Sequence, residues 1–491
     1  MAGIVHSVEP ADLLTPVAAF LKLTGSIENA GRYAFLLESI EGGAARGRYS
    51  VIGLLPDVVW RCLAGQVATS RGGAFEPESG AALDSLRALI SDSQIALPEG
   101  LPPMTAGLFG YLGYDMVRQM EHLPDAPRDD LGLPEAVLLR PSLFAIFDNV
   151  RDELTLAAPV RDGNEAAATA LLELARAALA QPLSSAVPAL HVPDAFEPEP
   201  QMPRANFTRA GFEAAVATIQ DYIAAGDAFQ VVPSQRFSVG FGLPPFALYR
   251  ALRRINPSPF LFFLDFDGFS LVGSSPEVLV RLRESEVTVR PLAGTRPRGA
   301  DPQEDRRLAE DLLADPKERA EHLMLIDLAR HDVGRVAEIG SVRVSESFAI
   351  ERFSHVMHIS STVQGRLRPG LEALDALIAG FPAGTLTGAP KIRAMQIIDE
   401  LEPTRRGPYG GCIGYFGADG SMDTCIGLRM AVVKEGVMHV QAGCGVVADS
   451  VPASEYEETR QKARALLRAA EAAVRFAHGD AWTARRHGQQ P

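Results

Sequence analysis

The chain has 491 residues, 47% of them hydrophobic, and a formal net charge of −14. This is enough for one large domain or two medium domains with a substantial core. The acidic balance argues against nucleic acid, which needs a basic surface, and against anionic membrane surfaces. No apolar run is long enough to span a membrane and the first residues lack a signal-peptide pattern, so we expect a cytoplasmic protein.

Residues 1–180 have a mixed pattern, with strands predicted at 49–54 and 142–147 and an alanine-rich helix at 165–180. Residues 181–206 hold six prolines and little periodicity, which predicts a linker. We therefore expect an N-terminal domain over 1–180, a linker over 181–206, a second domain over 207–478 and a disordered tail over 479–491.

The second domain alternates groups of strands with groups of helices, which predicts an α+β fold. The predicted helices are near 212–223, 302–314, 316–332, 390–400 and 453–477. The predicted strands are at 229–239, 260–266, 270–273, 278–283, 286–289, 354–363, 412–417, 422–433 and 437–447, with those between 260 and 289 forming a meander.

The four cysteines, Cys62, Cys412, Cys425 and Cys444, show no C-x-x-C spacing, so zinc and thioredoxin chemistry have no support. Cys444 lies between two glycines, where a nucleophile on a tight turn is one interpretation. We favour packing as a small buried residue, because both glycine-flanked cysteines lie at predicted strand ends.

Two acidic repeats lie on predicted helices, Glu318 with Glu321 and Glu455 with Glu458. Residues three apart share a helix face, and four converging carboxylates need a cation such as Mg²⁺. The alternatives are structural. Glu318 could close a capping box that begins at Asp315, and Glu458 could form a surface ion pair with Lys462. Spacing alone leaves both interpretations open.

Two small-residue segments could bind an anion. FPAGTLTGAPK (381–391) leads into a helix N-terminus, where free N–H groups could hold a carboxylate or where the glycines could simply cap the helix. PLAGTRPRG (291–299) offers two arginines for a carboxylate, or a turn with solvated arginines. His358 falls within an alternating strand and is a candidate acid or base only if it faces a cleft.

Taken in order, these segments resemble the chorismate-utilising enzymes, in particular the large subunits of anthranilate synthase. The resemblance covers nearly the whole chain and implies large β-sheets in an orthogonal sandwich with surrounding helices. The matching runs include LLESIEGGAARGRYSVIG (36–53), NPSPFLFFL (256–264), PLAGTRPRG (291–299), KERAEHLMLIDLARHDVGRV (317–336), FPAGTLTGAPK (381–391), DTCIGLRMA (423–431) and QAGCGVVADSVPASEYEETRQKA (441–463).

The resemblance also implies residue roles. Glu277 would be the general acid and His358 the base, with Thr385 and Lys462 lining the same cleft. Glu321 and Glu458 would bind Mg²⁺, supported by Glu318 and Glu455. Chorismate would be held by Gly294, Thr295, Tyr409, Arg429, Gly443, Cys444 and Gly445.

Two positions indicate the branch of the family. Gln230 stands where water-using relatives carry a lysine, and Ala293 where 4-amino-4-deoxychorismate synthases carry a nucleophilic lysine. Both indicate direct amination of chorismate to anthranilate and pyruvate, the first step of tryptophan biosynthesis. The chain shows no glutaminase set, so we expect an amidotransferase partner subunit that supplies ammonia, two copies of each. The alternatives are the 4-amino-4-deoxychorismate synthase component and a non-catalytic binding protein.

The resemblance finally implies feedback inhibition by L-tryptophan. Glu38 and Ser39 lie in a run similar to the family's tryptophan-binding element, and Pro259, Phe260 and Leu261 would form the other wall. Phe260 and Leu261 replace the tyrosine and methionine that are usual there.

Overall fold

The protein is described by a computed structural model over residues 3–41, 45–161, 163–183, 202–353 and 356–478. Its helices are α1 Pro16–Ser26, α2 Ala82–Asp92, α3 Glu165–Ala180, α4 Arg209–Ala224, α5 Pro245–Ile255, α6 Pro302–Ala314, α7 Pro316–Gly334, α8 Ala373–Gly380, α9 Lys391–Leu401 and α10 Pro452–His478. Its strands are β1 Gly3–Pro10, β2 Phe35–Glu41, β3 Ala45–Leu63, β4 Gln66–Ser70, β5 Glu76–Pro77, β6 Gly107–Leu112, β7 Ala136–Asp148, β8 Glu153–Val160, β9 Arg204–Ala205, β10 Gln230–Val231, β11 Ser234–Gly240, β12 Phe260–Asp265, β13 Phe269–Ser275, β14 Val278–Arg283, β15 Glu286–Val289, β16 Leu292–Pro297, β17 Arg343–Arg352, β18 Val356–Arg366, β19 Gly388–Ala389, β20 Cys412–Gly417, β21 Met422–Ile426, β22 Met430–Lys434 and β23 Val437–Gly443.

Two long antiparallel strands, β3 and β7, are shared by two sheets. Their ladder shifts register between Pro56 and Val58, beside Leu55 at φ +53°. Strands that pass from one sheet to another through such a bend form the corners of orthogonal packings. The first sheet runs β9-β11-β23-β22-β13-β12-β2-β3-β7-β8-β1, and the second runs β5-β4-β3-β7-β6-β20-β21-β14-β15-β18-β17.

The core between the sheets is built from alternating strand positions. Phe35, Phe109 and Phe144 point between the sheets, with Phe35 stacked on Phe109 at 4.7 Å between ring centroids. The neighbouring Leu36 and Ala145 point to the other face, where α1, α3, α5 and α10 cover the first sheet. Successive strand side chains take opposite faces, so each sheet is apolar on both sides. This arrangement confirms the α+β sandwich that the sequence predicted.

Several predicted elements have the expected bounds, including α3, α6 and the strand over Glu286–Val289. The predicted meander is confirmed for β12 with β13 and for β14 with β15, but it is wrong between β13 and β14, because β13 pairs with β22 and β14 with β21. Pro276 separates β13 from β14 and cannot donate to a ladder. The run 422–433 divides into β21 and β22 around Arg429, whose φ is +50°. Pro390 precedes α9 as its N-cap rather than lying inside it.

The segments on either side of the predicted linker share both sheets. β2 pairs with β12 in the first sheet, and β6 pairs with β20 in the second. Most of the linker at 181–206, together with the tail at 479–491, lies outside the described residues, so the domain division stays a prediction. Within the described ranges, no helix is both long and apolar enough to cross a membrane.

Candidate active site

The buried carboxyl of Glu277 follows the end of β13. Thr385, in the turn before α9, donates its hydroxyl to Oε1 of Glu277 at 3.2 Å. Burial raises the pKa of Glu277 to about 8, and the hydrogen bond from Thr385 and the charge of Lys462 offset this only in part. Glu277 is therefore mostly protonated at neutral pH, as a general acid requires.

His358 lies on β18 and faces the backbone of β16. Its Nδ1 is 2.8 Å from the carbonyl oxygen of Gly294 and 3.1 Å from the hydroxyl of Thr295. A carbonyl oxygen only accepts, so Nδ1 carries the proton and Nε2 keeps its lone pair. Burial lowers the pKa of His358 to about 4, and the nearby positive charges of Arg429 and Lys462 lower it further. The ring is therefore neutral at physiological pH.

Arg429 sits at the bend between β21 and β22, where its carbonyl accepts a hydrogen bond from Ser274 N–H at 3.1 Å. Burial lowers the pKa of its guanidinium, against an opposing effect from nearby Tyr409. Within the described part of the chain its guanidinium has no acidic partner. A half-buried cation without a counter-charge is costly, and a ligand carboxylate is the natural partner for a guanidinium.

The turn over Gly443, Cys444 and Gly445 forms one wall. Lys462, on α10, donates to the carbonyl oxygen of Gly443 at 2.9 Å. A Cβ on Gly443 would lie 3.0 Å from the Tyr409 hydroxyl, and a Cβ on Gly445 would lie 2.7 Å from Nε2 of Gln230. Side chains at these two positions would therefore crowd the cleft.

The cysteines do not take part as nucleophiles. All four are buried and free. Burial raises the pKa of the Cys444 thiol well above its ordinary value, and the nearby charge of Glu455 adds to this effect. Burial likewise raises the pKa of Cys62 and Cys412 to about 12. Thiolate is the reactive form, so the packing interpretation of these residues fits the structure.

The first acidic pair lies on α7. Glu321 accepts a hydrogen bond from Gln230 Nε2 at 3.1 Å. Glu318 accepts one from Arg296 Nη1 at 3.1 Å, rather than closing a capping box, while Asp315 caps the helix as expected. Burial raises the pKa of Glu318, and the charge of Glu321 adds to that effect. The two carboxylates therefore interact on one helix face.

The second pair lies on α10. Glu458 forms an ion pair with Lys462 at 2.8 Å, as the structural alternative predicted. Oε2 of Glu455 is buried without a hydrogen-bond partner. Burial raises the pKa of this carboxyl, and the negative charge of Glu458 raises it further.

The two pairs approach the same turn. Glu455 contacts Cys444 through its side chain, and a Cβ on Gly445 would lie 3.8 Å from Glu321 Oε1. Within the described ranges, no three His, Cys, Asp or Glu side chains are grouped closely enough to hold a metal ion as they stand. The donors suit Mg²⁺ in kind, because all are carboxylates and one buried oxygen lacks a partner.

The two arginines of PLAGTRPRG do not face the cleft. Arg296 forms ion pairs with Asp311 and Asp315, both at 2.8 Å, in addition to Glu318. Arg298 pairs with Asp305 at 2.7 Å. The expectation that they recognise a ligand carboxylate is wrong, because acids of α6 and α7 already neutralise them. Gly294 and Thr295 of the same segment do lie beside His358.

The five residues expected to bind tryptophan all line one cavity of about 910 Å³ between the sheets. Glu38 and Leu261 are direct partners in the β2–β12 ladder. The carboxylate of Glu38 is already engaged, since it accepts from Arg253 Nε at 2.6 Å and from the Tyr249 hydroxyl. Among the described residues, the Ser39 hydroxyl has no hydrogen-bond partner. The cavity also reaches Pro276, next to Glu277, and Leu292, two residues before Gly294.

One buried residue near the site was missed by the sequence analysis. Arg406 donates to the carbonyl oxygens of Leu386 at 2.6 Å and Val232 at 2.7 Å, and pairs with Glu402. Its guanidinium also lies 5.8 Å from the ring centroid of Tyr409. The only signal in the sequence was the four-residue spacing of Glu402 and Arg406, which does not distinguish a buried pair from a solvated one.

The chain is similar to known proteins over nearly its whole length. Residues 40–468 match the family model described as chorismate binding enzyme. The chain is 55% identical over 488 residues to an anthranilate synthase component 1 from Cereibacter sphaeroides, which covers 96% of this chain and 95% of the relative. A protein of the same name from Thermus thermophilus is 49% identical, covering 94% and 96%.

Two solved structures have a similar fold. The crystal structure of anthranilate synthase component I from Streptococcus pneumoniae matches with a TM-score of 0.76 at 37% identity, covering 86% of this chain and 92% of that chain. The isochorismate synthase MenF from Escherichia coli matches with a TM-score of 0.72 at 18% identity, covering 96% and 94%, a likeness of fold alone.

Proposed function

The chain belongs to the chorismate binding enzymes, and from that premise we propose that it is the aminating large subunit of an anthranilate synthase. Its reaction would convert chorismate and ammonia to anthranilate, pyruvate and water. Curated relatives of 45–55% identity that carry the name anthranilate synthase component 1 support this choice within the family.

The observation that carries the proposal is the opposite displacement of the pKa values of Glu277 and His358, both of which lie near the charge of Lys462. Burial raises the pKa of Glu277 to about 8 and lowers that of His358 to about 4. At neutral pH one group therefore holds a proton to give, and the other has a free nitrogen to receive one. Environments that separate two pKa values in this way assign the acid and the base.

In the first step, Glu277 acts as the acid. Ammonia forms a bond to C2 of chorismate and releases one of its protons to solvent, the ring double bonds shift, and the bond from C4 to its hydroxyl breaks. That hydroxyl leaves as water with the proton of Glu277, whose carboxylate is then stabilised by Thr385 and Lys462. Arg429 has no acidic partner in the described residues and would hold the enolpyruvyl carboxylate.

In the second step, His358 acts as the base. Its Nε2 takes the C2 proton, and the C2–H electrons complete the aromatic ring. The bond between C3 and the ether oxygen breaks, and the enolpyruvate released takes up a proton at its methylene carbon to become pyruvate. The hydrogen bond from Nδ1 to Gly294 fixes the tautomer and orients Nε2 for this role.

The four glutamates would hold Mg²⁺, with Glu321 and Glu458 as ligands and Glu318 and Glu455 in support. When bound, the ion supplies a Lewis acid and a template for a substrate carboxylate. The unpartnered Glu455 oxygen supports this assignment. Glu318 and Glu458 are paired with Arg296 and Lys462, so these two carboxylates must exchange partners for the ion to bind.

Ammonia, rather than water or a lysine, is the proposed nucleophile. Gln230 is a neutral amide that donates a hydrogen bond to Glu321, so it offers no base to activate water. Ala293 has no nucleophilic group. With every cysteine buried, the chain offers no thiolate to release ammonia from glutamine. A separate glutamine amidotransferase subunit would therefore deliver it, and L-tryptophan would act as feedback inhibitor from the cavity between the sheets.

The experiment is to incubate the pure chain with chorismate, Mg²⁺ and an ammonium salt and to follow anthranilate fluorescence. We expect anthranilate and pyruvate in equal amounts. Formation of 4-amino-4-deoxychorismate instead would establish the sibling activity. Chorismate left intact in the presence of both ammonia and Mg²⁺ would establish a non-catalytic binding protein.

A further inference from the structure

A cavity of about 240 Å³ lies on the side of His358 and Arg429 that faces α10. One wall is a single face of α10, formed by Gln461, Arg464 and Arg468, whose four-residue spacing places the two arginines one above the other. The opposite wall is the segment from 255 to 258 that precedes β12. The cavity therefore joins the outer surface of α10 to the proposed base and the unpaired arginine.

The charged side chains that line this cavity are all positive. Arg429, Arg464 and Arg468 line it, and none of its lining residues is acidic. On α10, Glu457 pairs with Arg460 at 3.1 Å and Glu458 with Lys462 at 2.8 Å, while Glu471, three residues after Arg468, does not line the cavity. Within the described ranges, Arg464 and Arg468 form no ion pair, and both side chains are exposed. Their positive charge can therefore attract an anion from solution.

The rest of the chain presents the opposite charge. Its formal net charge of −14 repels an anion at long range, and the proposed substrate carries two carboxylates. A cleft lined by charges of one sign focuses the electrostatic potential, which raises both the local concentration and the association rate of the opposite charge. A positive cavity that ends at Arg429 offsets this repulsion locally.

We propose that this cavity is the entrance for the dicarboxylate substrate and that Arg464 and Arg468 draw it towards Arg429. The inference rests on the proposed function. Neither arginine is assigned to the chemistry or to the bound substrate, so their contribution should appear in kcat/KM and not in kcat. It should also disappear when salt screens exposed charges, because the Debye length falls from about 10 Å at 0.1 M to about 3 Å at 1 M.

The test compares two double variants of the full chain. Arg464→Gln with Arg468→Gln removes the charge from the cavity. Arg209→Gln with Arg460→Gln removes the same charge from exposed arginines outside the cavity, which both contact Glu457. Ammonia-dependent anthranilate synthesis is measured across chorismate concentrations at low and high ionic strength, with a melting curve for each protein.

At low ionic strength we expect the cavity variant to lose roughly tenfold in kcat/KM with kcat unchanged, at the lower end of the range for electrostatic steering. The control variant should match the wild type. At high ionic strength the three proteins should converge. Arg464→Glu with Arg468→Glu should lower kcat/KM further.

The proposal is overturned if the cavity variant keeps the wild-type kcat/KM and salt dependence, or if the control loses as much. A loss in kcat alone also overturns it, because the arginines would then act after binding. A wild-type chain that makes no anthranilate at all contradicts the proposed function instead, which separates the two failures.

Discussion

At the Glu277 carboxyl, burial favours the proposed role as an acid and opposes stability. The sequence could identify this position only by resemblance, because its pKa depends on groups distant in the chain. Thr385 approaches from 108 residues away, and Lys462 comes from the last helix. Neither contact leaves a local signal, whereas the Asp315 cap of α7 depends on neighbours within three residues and was correctly predicted.

We expect Glu277→Gln to abolish anthranilate synthesis and to stabilise the fold at alkaline pH. The pKa rises from 4.5 in the unfolded chain to about 8 in the folded one, so the folded state binds more protons between these values. This contribution to the free energy of unfolding is full below the unfolded pKa and is lost as pH rises through about 8. Glutamine stays neutral throughout, so the variant should melt above the wild type at about pH 9.

The difference in melting temperature between the two proteins should shrink as the pH falls towards about 5, because both side chains are then largely neutral. A constant difference at every pH would contradict the raised pKa. An active variant would contradict the role of Glu277 as acid.

The acidic pairs of α7 and α10 give a second prediction for single residues. We expect Glu321→Gln or Glu458→Gln to abolish synthesis with either nitrogen donor while the fold survives, because a carboxylate is lost from the proposed Mg²⁺ site. Mg²⁺ should raise the melting temperature of the wild type and leave that of both variants unchanged, which gives a measurement independent of activity.

Glu457→Gln is the matched control for these variants. Glu457 is the neighbour of Glu458 on α10, but its carboxylate pairs with Arg460 at the surface. It should keep both activity and the response to Mg²⁺. Wild-type turnover at saturating Mg²⁺ in both Glu321→Gln and Glu458→Gln would contradict the metal assignment.

Among the elements, helices were predicted more accurately than strand partners. The spacing of apolar residues along α10 is a local property, so its bounds could be predicted closely. The pairing of β13 with β22 joins residues more than 150 positions apart and has no local pattern. β17 was missed because its residues are mostly exposed or half-buried and lack the alternation expected of a strand.

The buried ion pair of Arg406 and Glu402 links several of these elements. Arg406 joins the turn at Leu386, the strand end at Val232 and the loop before β20. We expect Arg406→Met to lower the free energy of unfolding by about 3–5 kcal/mol, because it leaves Glu402 charged and buried without its partner. Chemical denaturation followed by tryptophan fluorescence and circular dichroism would measure the loss.

Arg330→Met provides the comparison for this variant. Arg330 pairs with Asp327 on the exposed face of α7, and such pairs contribute about 0–1 kcal/mol. Equal losses in the two variants would show that burial does not determine the cost at Arg406.

The nitrogen donor of the isolated chain is a property of the whole molecule, because it depends on whether any part of the chain can release ammonia from glutamine. We expect the isolated chain to use ammonium but not glutamine, because its cysteines are buried and the pKa of Cys444 lies well above the ordinary value. At constant total ammonium, activity should rise with pH as more ammonia becomes unprotonated. Adding a glutamine amidotransferase subunit should restore the use of glutamine, and glutamine consumption by the pure chain alone would contradict the two-subunit assignment.

The proposed control by tryptophan involves the whole molecule, because the cavity between the sheets joins segments far apart in sequence. Ser39 on β2 and Leu261 on β12 line it from adjacent strands, and the same cavity reaches Pro276 and Leu292 beside the catalytic segments. A ligand that fills it can therefore alter the position of Glu277 without contacting the substrate. We expect tryptophan to bind here and to oppose chorismate with a coupling free energy of about 1–3 kcal/mol.

Ser39→Phe should fill the cavity near its polar end and abolish both tryptophan binding and inhibition, with catalysis unchanged. Ser39→Ala removes only the hydroxyl and should weaken binding without abolishing it. Calorimetric titration of tryptophan into the three proteins, with and without chorismate, measures the coupling directly. Because coupling between two binding sites is reciprocal, chorismate must weaken tryptophan binding by the same factor by which tryptophan weakens chorismate binding. Equal inhibition of the wild type and Ser39→Phe would place the inhibitor elsewhere and leave the assignments of Glu277 and His358 untouched.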